Sequence, residues 1–379
     1  TQSRSSAASD VYKRQTICMA RKDSNYMSSL KESIIVTFAF VGVVVGAGFA
    51  TGQEIFQFFT SNGKFSVLGV IITGFIITIA GVFVLNTGYR LRSHSHTEPI
   101  KFYLPRTIAT IFDMILTLFL LALAMIMTAG GVSTIHENFD IPYAISALIL
   151  VIIILATLCL KFDRLITVLG MVTPFLIIIV SIIAIYYFTT GSFDFDSASQ
   201  YANSGTRTDK WWWFDAINYG SLQVAAAFSF LSVMGGRIKS EKATYLGGIL
   251  GGMVITFLLL MLNLGMVTEF TKITNVALPS LLLAKQISPV IGHFMAIIMV
   301  LVIYNTVVGL MYAFASRFTE PYKQNYYILI IIIAIITFAT TFVGFIELIG
   351  KVFPLMGLFG FILLIPILIK GIFYKSHSS

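Results

Sequence analysis

Long apolar runs separated by short polar breaks dominate the chain. They divide into ten segments, 33–59, 67–85, 107–131, 143–160, 165–188, 214–236, 245–267, 287–315, 326–342 and 348–372. Most approach or exceed the ~20 residues with which an α-helix crosses a hydrocarbon core of roughly 30 Å. The alternation of apolar and polar positions that marks a membrane β-barrel is missing. The pattern predicts an all-α, polytopic membrane protein of about ten transmembrane helices, with the lipid bilayer as its solvent. The narrowest division, at 344–350, carries Glu347 as its only charge before Lys351.

Composition agrees with the pattern. The 379 residues are 57% hydrophobic and only 11% charged, with a mean hydropathy of +0.89. The net charge of +8 does not predict a nucleic-acid partner, because the basic residues are scattered between apolar spans and form no polar patch. Their distribution reports orientation instead. With a cytoplasmic N-terminus, sixteen Lys and Arg fall in inner segments, among them Arg90, Arg92, Lys101, Arg106, Arg237, Lys239 and Lys242. Six fall outside: Lys64, Arg207, Lys210, Lys272, Lys285 and Lys351. This positive-inside bias predicts a multi-pass protein of a bacterial inner membrane with both termini cytoplasmic. Cys18 and Cys159 have no spacing partner, so neither a disulfide framework nor a metal site is expected. Residues 1–28 are read as a tail. Within it, residues 5–15 (SSAASDVYKRQ) resemble a translated adapter or vector fragment and are set aside, with Met19 or Met27 as plausible starts.

A single transmembrane domain, 29–379, is expected. Its longest connection, 189–213, divides five spans (33–188) from five (214–372). An odd number of helices per half makes the second half enter the membrane from the opposite side, which is the origin of an inverted repeat. Trp211, Trp212 and Trp213, just before the sixth span, read as an aromatic anchor at the membrane interface.

Span one carries the most informative pattern. Gly46, Gly48 and Gly52 interrupt an apolar helix, and Thr51, Gln53 and Glu54 bring polarity to the same place. Glycine is less favourable than alanine in a helix interior by about 1 kcal/mol, so the cluster predicts unwinding. Unwound backbone at membrane depth is tolerated only where it is buried in protein or lines a polar cavity. The spacing Thr51-Gly52-Gln53-Glu54 also fits a capping box that restarts the helix at Thr51. Exposed N–H groups there would suit a carboxylate, and freed carbonyls before the break a cation. Glu54 has three readings: cap, vestibule charge, or buried proton carrier. Close helix packing through small residues is the structural alternative for the glycines.

The run from Phe40 through Gly46-Ala47-Gly48-Phe49-Ala50-Thr51-Gly52-Gln53-Glu54-Ile55 to Phe58-Phe59 resembles the opening of the YkvI family of bacterial membrane proteins. That family is similar to the amino acid–polyamine–organocation superfamily. The resemblance implies a LeuT-like five-plus-five inverted repeat with helices one and six discontinuous at the substrate site, and it implies no particular substrate. The second break would fall near Gln223 to Ser229, where Ala225-Ala226-Ala227 depart from a glycine-rich pattern.

Other polar residues at depth complete the candidate substrate or ion site: Thr128 in span three, Gln223 and Ser229 in span six, and Asn305 and Thr306 in span eight. Asp113 is expected to pair with Arg106 or a loop cation. No phosphate loop, H-E-x-x-H pair or G-x-S-x-G elbow occurs, so no catalytic residue and no enzyme activity are expected. The expectation is a secondary transporter of a small solute, an amino acid or related amine, with a sodium ion or proton as coupling ion and no other cofactor. A membrane-embedded sensor that binds such a molecule without moving it is the alternative.

Overall fold

A computed structural model describes residues 29–159, 173–204, 211–274, 276–320 and 322–375. The expectations for residues 1–28, for the segment 160–172 between spans four and five, and for Arg207 and Lys210 lie outside the described residues. All regular structure among the described residues is helical. Helix α1 covers 29–44 and ends in the β-branched run Val43-Val44-Val45, after which Gly46 is extended. Two short helices follow, α2 (Ala47–Thr51) and α3 (Gln53–Phe58), joined by Gly52 at φ 79°. This left-handed conformation is open to glycine and strained for other residues. Span one is therefore broken where its glycines predicted. The restart differs from expectation: Gly52, not Thr51, caps α3, and no side chain caps it.

A 3₁₀ turn (Thr60–Phe65) leads into α4 (Ser66–Leu91). Then come α5 (Thr97–Tyr103), α6 (Arg106–Phe139), α7 (Tyr143–Leu158), α8 (Thr173–Thr190) and α9 (Phe195–Asn203). The second half holds α10 (Trp212–Arg237), α11 (Glu241–Thr268), the single turn α12 (Phe270–Ile273), α13 (Pro279–Ile287), α14 (Pro289–Phe318), α15 (Gln324–Thr340) and α16 (Phe345–Lys375). Seven helices, α4, α6, α10, α11, α14, α15 and α16, are each long and apolar enough to cross a membrane. The other three expected spans correspond to the broken α1–α3, to the 16-residue α7, and to α8, which α9 follows at an angle of 105°. The turn between α15 and α16 forms at Gly344, and Lys351 donates to Glu347 one turn before it in α16.

Helix six is continuous, contrary to expectation. The resemblance implied a discontinuity near Gln223–Ser229, but α10 runs unbroken from Trp212 to Arg237. Alanine, the strongest helix former, fills the centre at Ala225-Ala226-Ala227 and removes the reason to unwind. The small residues of α10 serve packing instead: Gly235 lies against the Leu85 carbonyl and Gly88 of α4 against that of Ser232, the close backbone approach typical of membrane helices. The expected outer loop, 189–213, holds a helix of its own. It contains α9, whose N-cap Asp194 accepts from the Ser197 amide at 3.0 Å. Bonds from Ser197 hold that exposed carboxyl below the usual range.

Helix α4 packs on α10 and α11, α6 on α14, and α10 on α16. Large apolar side chains such as Phe75, Met114, Ile185 and Ile335 are more than half exposed on the outside, whereas Glu54, Asn218, Gln223 and Asn263 are buried. This inversion is that of a protein surrounded by lipid. The two ends of the bundle differ. At the start of α4, Lys64 bonds Ser199 and pairs with Asp196, so α9 covers that end. After 26 residues of helix, about 39 Å further on, the chain reaches His96 at the opposite end.

Candidate functional site

The break in helix one is organised around Glu54. Placed in the first turn of α3, its side chain folds back over α2. A β-carbon on Gly48 would overlap its Oε1 and Cδ and lie 3.1 Å from its Cγ. Gly48 is thus the notch that receives the carboxyl group. From α10, the Tyr219 hydroxyl donates to Glu54 Oε2 at 3.0 Å and the Gln223 amide donates to the same oxygen at 3.2 Å. Tyr219 and Gln223 are one helical turn apart, the spacing that puts two side chains on one face. Glu54 is 4% exposed. Its side-chain partners are these two neutral donors, and among the described residues no cation forms a salt bridge with it.

The expected capping box does not form. Thr51 donates its hydroxyl back to the Gly48 carbonyl at 2.8 Å, and its oxygen receives the Gln53 amide only at 3.4 Å. Thr51 is the last residue of α2 and not an N-cap, and Glu54 bonds across to Tyr219 and Gln223 instead. The cap reading is thereby removed, and the carboxyl is left as a buried acidic group that joins helix one to helix six.

On either side of Glu54 the break touches two further elements. A β-carbon on Gly52 would overlap Ser280 Oγ and lie 3.0 Å from the Ser280 amide. The first turn of α13 therefore seats against the left-handed residue. Both Ser280 Oγ and Gln53 Oε1 are buried without a hydrogen-bond partner. Unsatisfied buried polar atoms carry a penalty of about 1–3 kcal/mol each, and pairs of them beside a helix break are places for a ligand or water to bond. On the side towards α1, Thr306 Oγ1 of α14 stands 3.8 Å from the β-carbon position of Gly46, with Asn305 half-buried beside it. Phe56, Tyr201 and Phe270 pack ring to ring at 5.6–6.1 Å, binding α3 to α9 and α12 at the covered end.

The expected residues thus divide. Gln223 bonds Glu54, which fills the Gly48 notch, Gly46 approaches Thr306, and Gly52, next to Gln53, seats against α13. Thr128 is buried and donates to the Ala124 carbonyl of its own helix at 2.7 Å. Ser229 lies apart, on the wall of a cavity of about 300 Å³ bounded by α6, α10, α14 and α16. Tyr219 and Ser280 are additions to the expected set. Tyr219 stands four residues before Gln223 on the same face, a signal present in the sequence. Ser280 carries none, since only tertiary packing brings it to Gly52.

The cavity ends at a polar cluster. Arg317 of α14 donates to the Asp113 carboxylate at 2.9 Å and to the Asp113 carbonyl at 3.0 Å, bonds Thr117, and lies 3.1 Å from His96 Nε2. His96 Nε2 is 2.8 Å from Asp113. Asp113 therefore pairs with Arg317 and the loop residue His96 and not with Arg106, because Arg317 reaches it from the helix packed alongside. At the covered end, Trp212 stacks on Phe65 while Trp211 and Trp213 remain exposed.

Comparison with known proteins gives consistent likenesses. YkvI, an uncharacterised membrane protein of Bacillus subtilis (strain 168), is 27% identical over 329 residues, covering 85% of this chain and 91% of YkvI. YyaD of the same organism is 20% identical over 337 residues, 88% of this chain and 96% of its own length. No protein-family model matches the chain. Among solved structures, an Eremococcus coleocola manganese transporter superposes with a TM-score of 0.57 at 13% identity, over 91% of this chain and 79% of the transporter. A Na⁺-coupled sialic acid symporter in its substrate-bound outward-open state gives 0.55 at 13% identity, over 89% and 78%. The chain is thus similar to two uncharacterised Bacillus proteins, one of them a membrane protein, and shares an all-helical fold with two solute transporters.

Proposed function

We propose that the chain is a secondary active transporter that moves a small organic solute, an amino acid or related amine, across a bacterial inner membrane on a sodium or proton gradient. Its ten spans form a five-plus-five inverted repeat with both termini cytoplasmic, and the solute and coupling ion bind at the break in helix one. The observation that carries this reading is the buried Glu54 carboxyl, seated in the Gly48 notch of a broken helix and bonded across to Tyr219 and Gln223. An acidic side chain kept at membrane depth without a cation partner is a functional group by default, and broken helices mark binding sites in transporters. Similarity of fold to a manganese transporter and to a Na⁺-coupled symporter supports the class.

In alternating access, one half of the protein rocks against the other around the bound solute. The Glu54 contacts join helix one to helix six, the first helices of the two proposed halves. Whatever cation or proton binds the carboxyl changes how strongly it holds Tyr219 and Gln223, and so biases that movement. The test is uptake of radiolabelled amino acids and amines into proteoliposomes under imposed sodium or pH gradients. Accumulation that requires a gradient is expected; a ligand that binds but is never accumulated identifies a sensor instead.

A further inference from the structure

Protein interiors are close-packed, and voids larger than a water are few. The cavity of about 300 Å³ beside α10 and α14 has some ten times the roughly 30 Å³ that one water occupies in the liquid. Its cause is local. Ala225, Ala226 and Ser229 of α10 face Ala313 and Ser316 of α14, so small side chains meet small side chains where large ones would close the gap. Ala226 is exposed although its neighbours on α10 are buried. The rest of the wall is bulky and apolar, with Leu116, Phe119 and Leu123 of α6. Polar groups are confined to the two serines and to Arg317 and His96 at one end. A mostly apolar pocket with a few convergent polar groups is the usual form of a small-molecule site.

One side of α14 runs from the cavity to the break. Asn305, Gly309, Ala313 and Ser316 recur at helical spacing and share one face of α14. Ala313 and Ser316 line the cavity, and Thr306 stands by Gly46 at the break. Between them, a β-carbon built on Gly309 meets nothing within 4 Å. Glycine at this helix-interior position serves no close approach and no special backbone angle, yet it is less favourable than alanine by about 1 kcal/mol. Open space is what it supplies.

We propose that this cavity is the vestibule that binds a solute with an apolar body and a hydrogen-bonding head, and that Gly309 keeps open its passage to the broken helix. The inference deepens the transporter reading and rests on it. The apolar body lies against the α6 leucines and Phe119, and the head bonds Ser229 or Ser316. Arg317 is already bonded to Asp113, Thr117 and His96, so it closes the far end without offering a bare positive charge.

The test places Ala313→Cys in a background with Cys18→Ser and Cys159→Ser. It compares labelling by a membrane-impermeant cationic methanethiosulfonate with labelling by N-ethylmaleimide. An aqueous vestibule predicts reaction with both; reaction with the lipophilic reagent alone makes the cavity a lipid-facing groove and overturns the proposal. Phenylalanine, leucine and phenylethylamine are expected to slow the impermeant reaction, whereas glycine and manganese chloride are not. Absence of protection by the three, or protection by glycine or manganese, overturns the solute class. Gly309→Leu is expected to reduce uptake roughly tenfold or more, a barrier change of about 1.4 kcal/mol, with Tm unchanged or raised. Undiminished uptake in that variant removes the passage. Labelling needs no flux, so failure of the transporter reading leaves the vestibule separately testable.

Discussion

Gly48→Ala is the sharpest perturbation of the site. Its new methyl group would occupy the space of the Glu54 carboxyl, so the side chain must swing away from Tyr219 and Gln223. Two hydrogen bonds are lost, each worth about 1 kcal/mol net, and two buried donors lose their acceptor, with a further penalty of about 1–3 kcal/mol apiece if nothing replaces it. Against this, alanine in place of glycine favours the helix by up to about 1 kcal/mol. Partial relaxation of the donors leaves a net destabilisation of roughly 1–3 kcal/mol. Thermal unfolding of the purified protein measures it, and a double-mutant cycle assigns its cause. In a Glu54→Ala background the notch is empty, and Gly48→Ala should become neutral or stabilising. If it destabilises equally in both backgrounds, Gly48 serves helix packing and the notch is not the reason for the glycine.

Further outcomes follow from the same contacts. Tyr219→Phe deletes the hydroxyl that donates to Glu54 at 3.0 Å; a loss of about 1 kcal/mol in stability and a lower uptake rate are expected, read by thermal unfolding and flux. Gly52→Ala forces a side chain into φ 79° and onto Ser280; backbone strain alone predicts about 1 kcal/mol of destabilisation, and a variant as stable as wild type would show that α13 does not seat on the break. Arg317→Ala leaves Asp113 half-buried with His96 as its remaining side-chain partner; a stability loss of about 1–3 kcal/mol and faster impermeant labelling of the Ala313→Cys variant are expected. Unchanged labelling would show that the cluster does not close the cavity.

The sequence made some of this architecture readable and hid the rest for physical reasons. Apolar runs reveal membrane helices because lipid demands them locally, and α4, α6, α10, α11, α14, α15 and α16 lie where the runs fall. Gly46, Gly48 and Gly52 reveal the break because backbone preference is also local. Glu54 was legible as important but not as to its partner: its capping-box spacing is a local pattern, and the donors to its carboxyl lie 165 and 169 residues away. The same limit hid Arg317, 204 residues from Asp113. In helix six the expectation came from likeness, while Ala225-Ala226-Ala227 argued for continuity. Gly309 looked like any helix glycine; only the space around it distinguishes it.

In the proposed transport cycle Glu54 couples a gradient to solute movement through the break in helix one. The most direct measurement is accumulation of a radiolabelled amino acid or amine in proteoliposomes, first identified by the rise in Tm that a native-state ligand produces. Wild type and Glu54→Gln are compared under a sodium gradient, a pH gradient and neither. Accumulation is expected in wild type under one of the two gradients, and its loss in Glu54→Gln while the ligand still raises Tm. Gradient-driven accumulation that is undiminished in Glu54→Gln would contradict it.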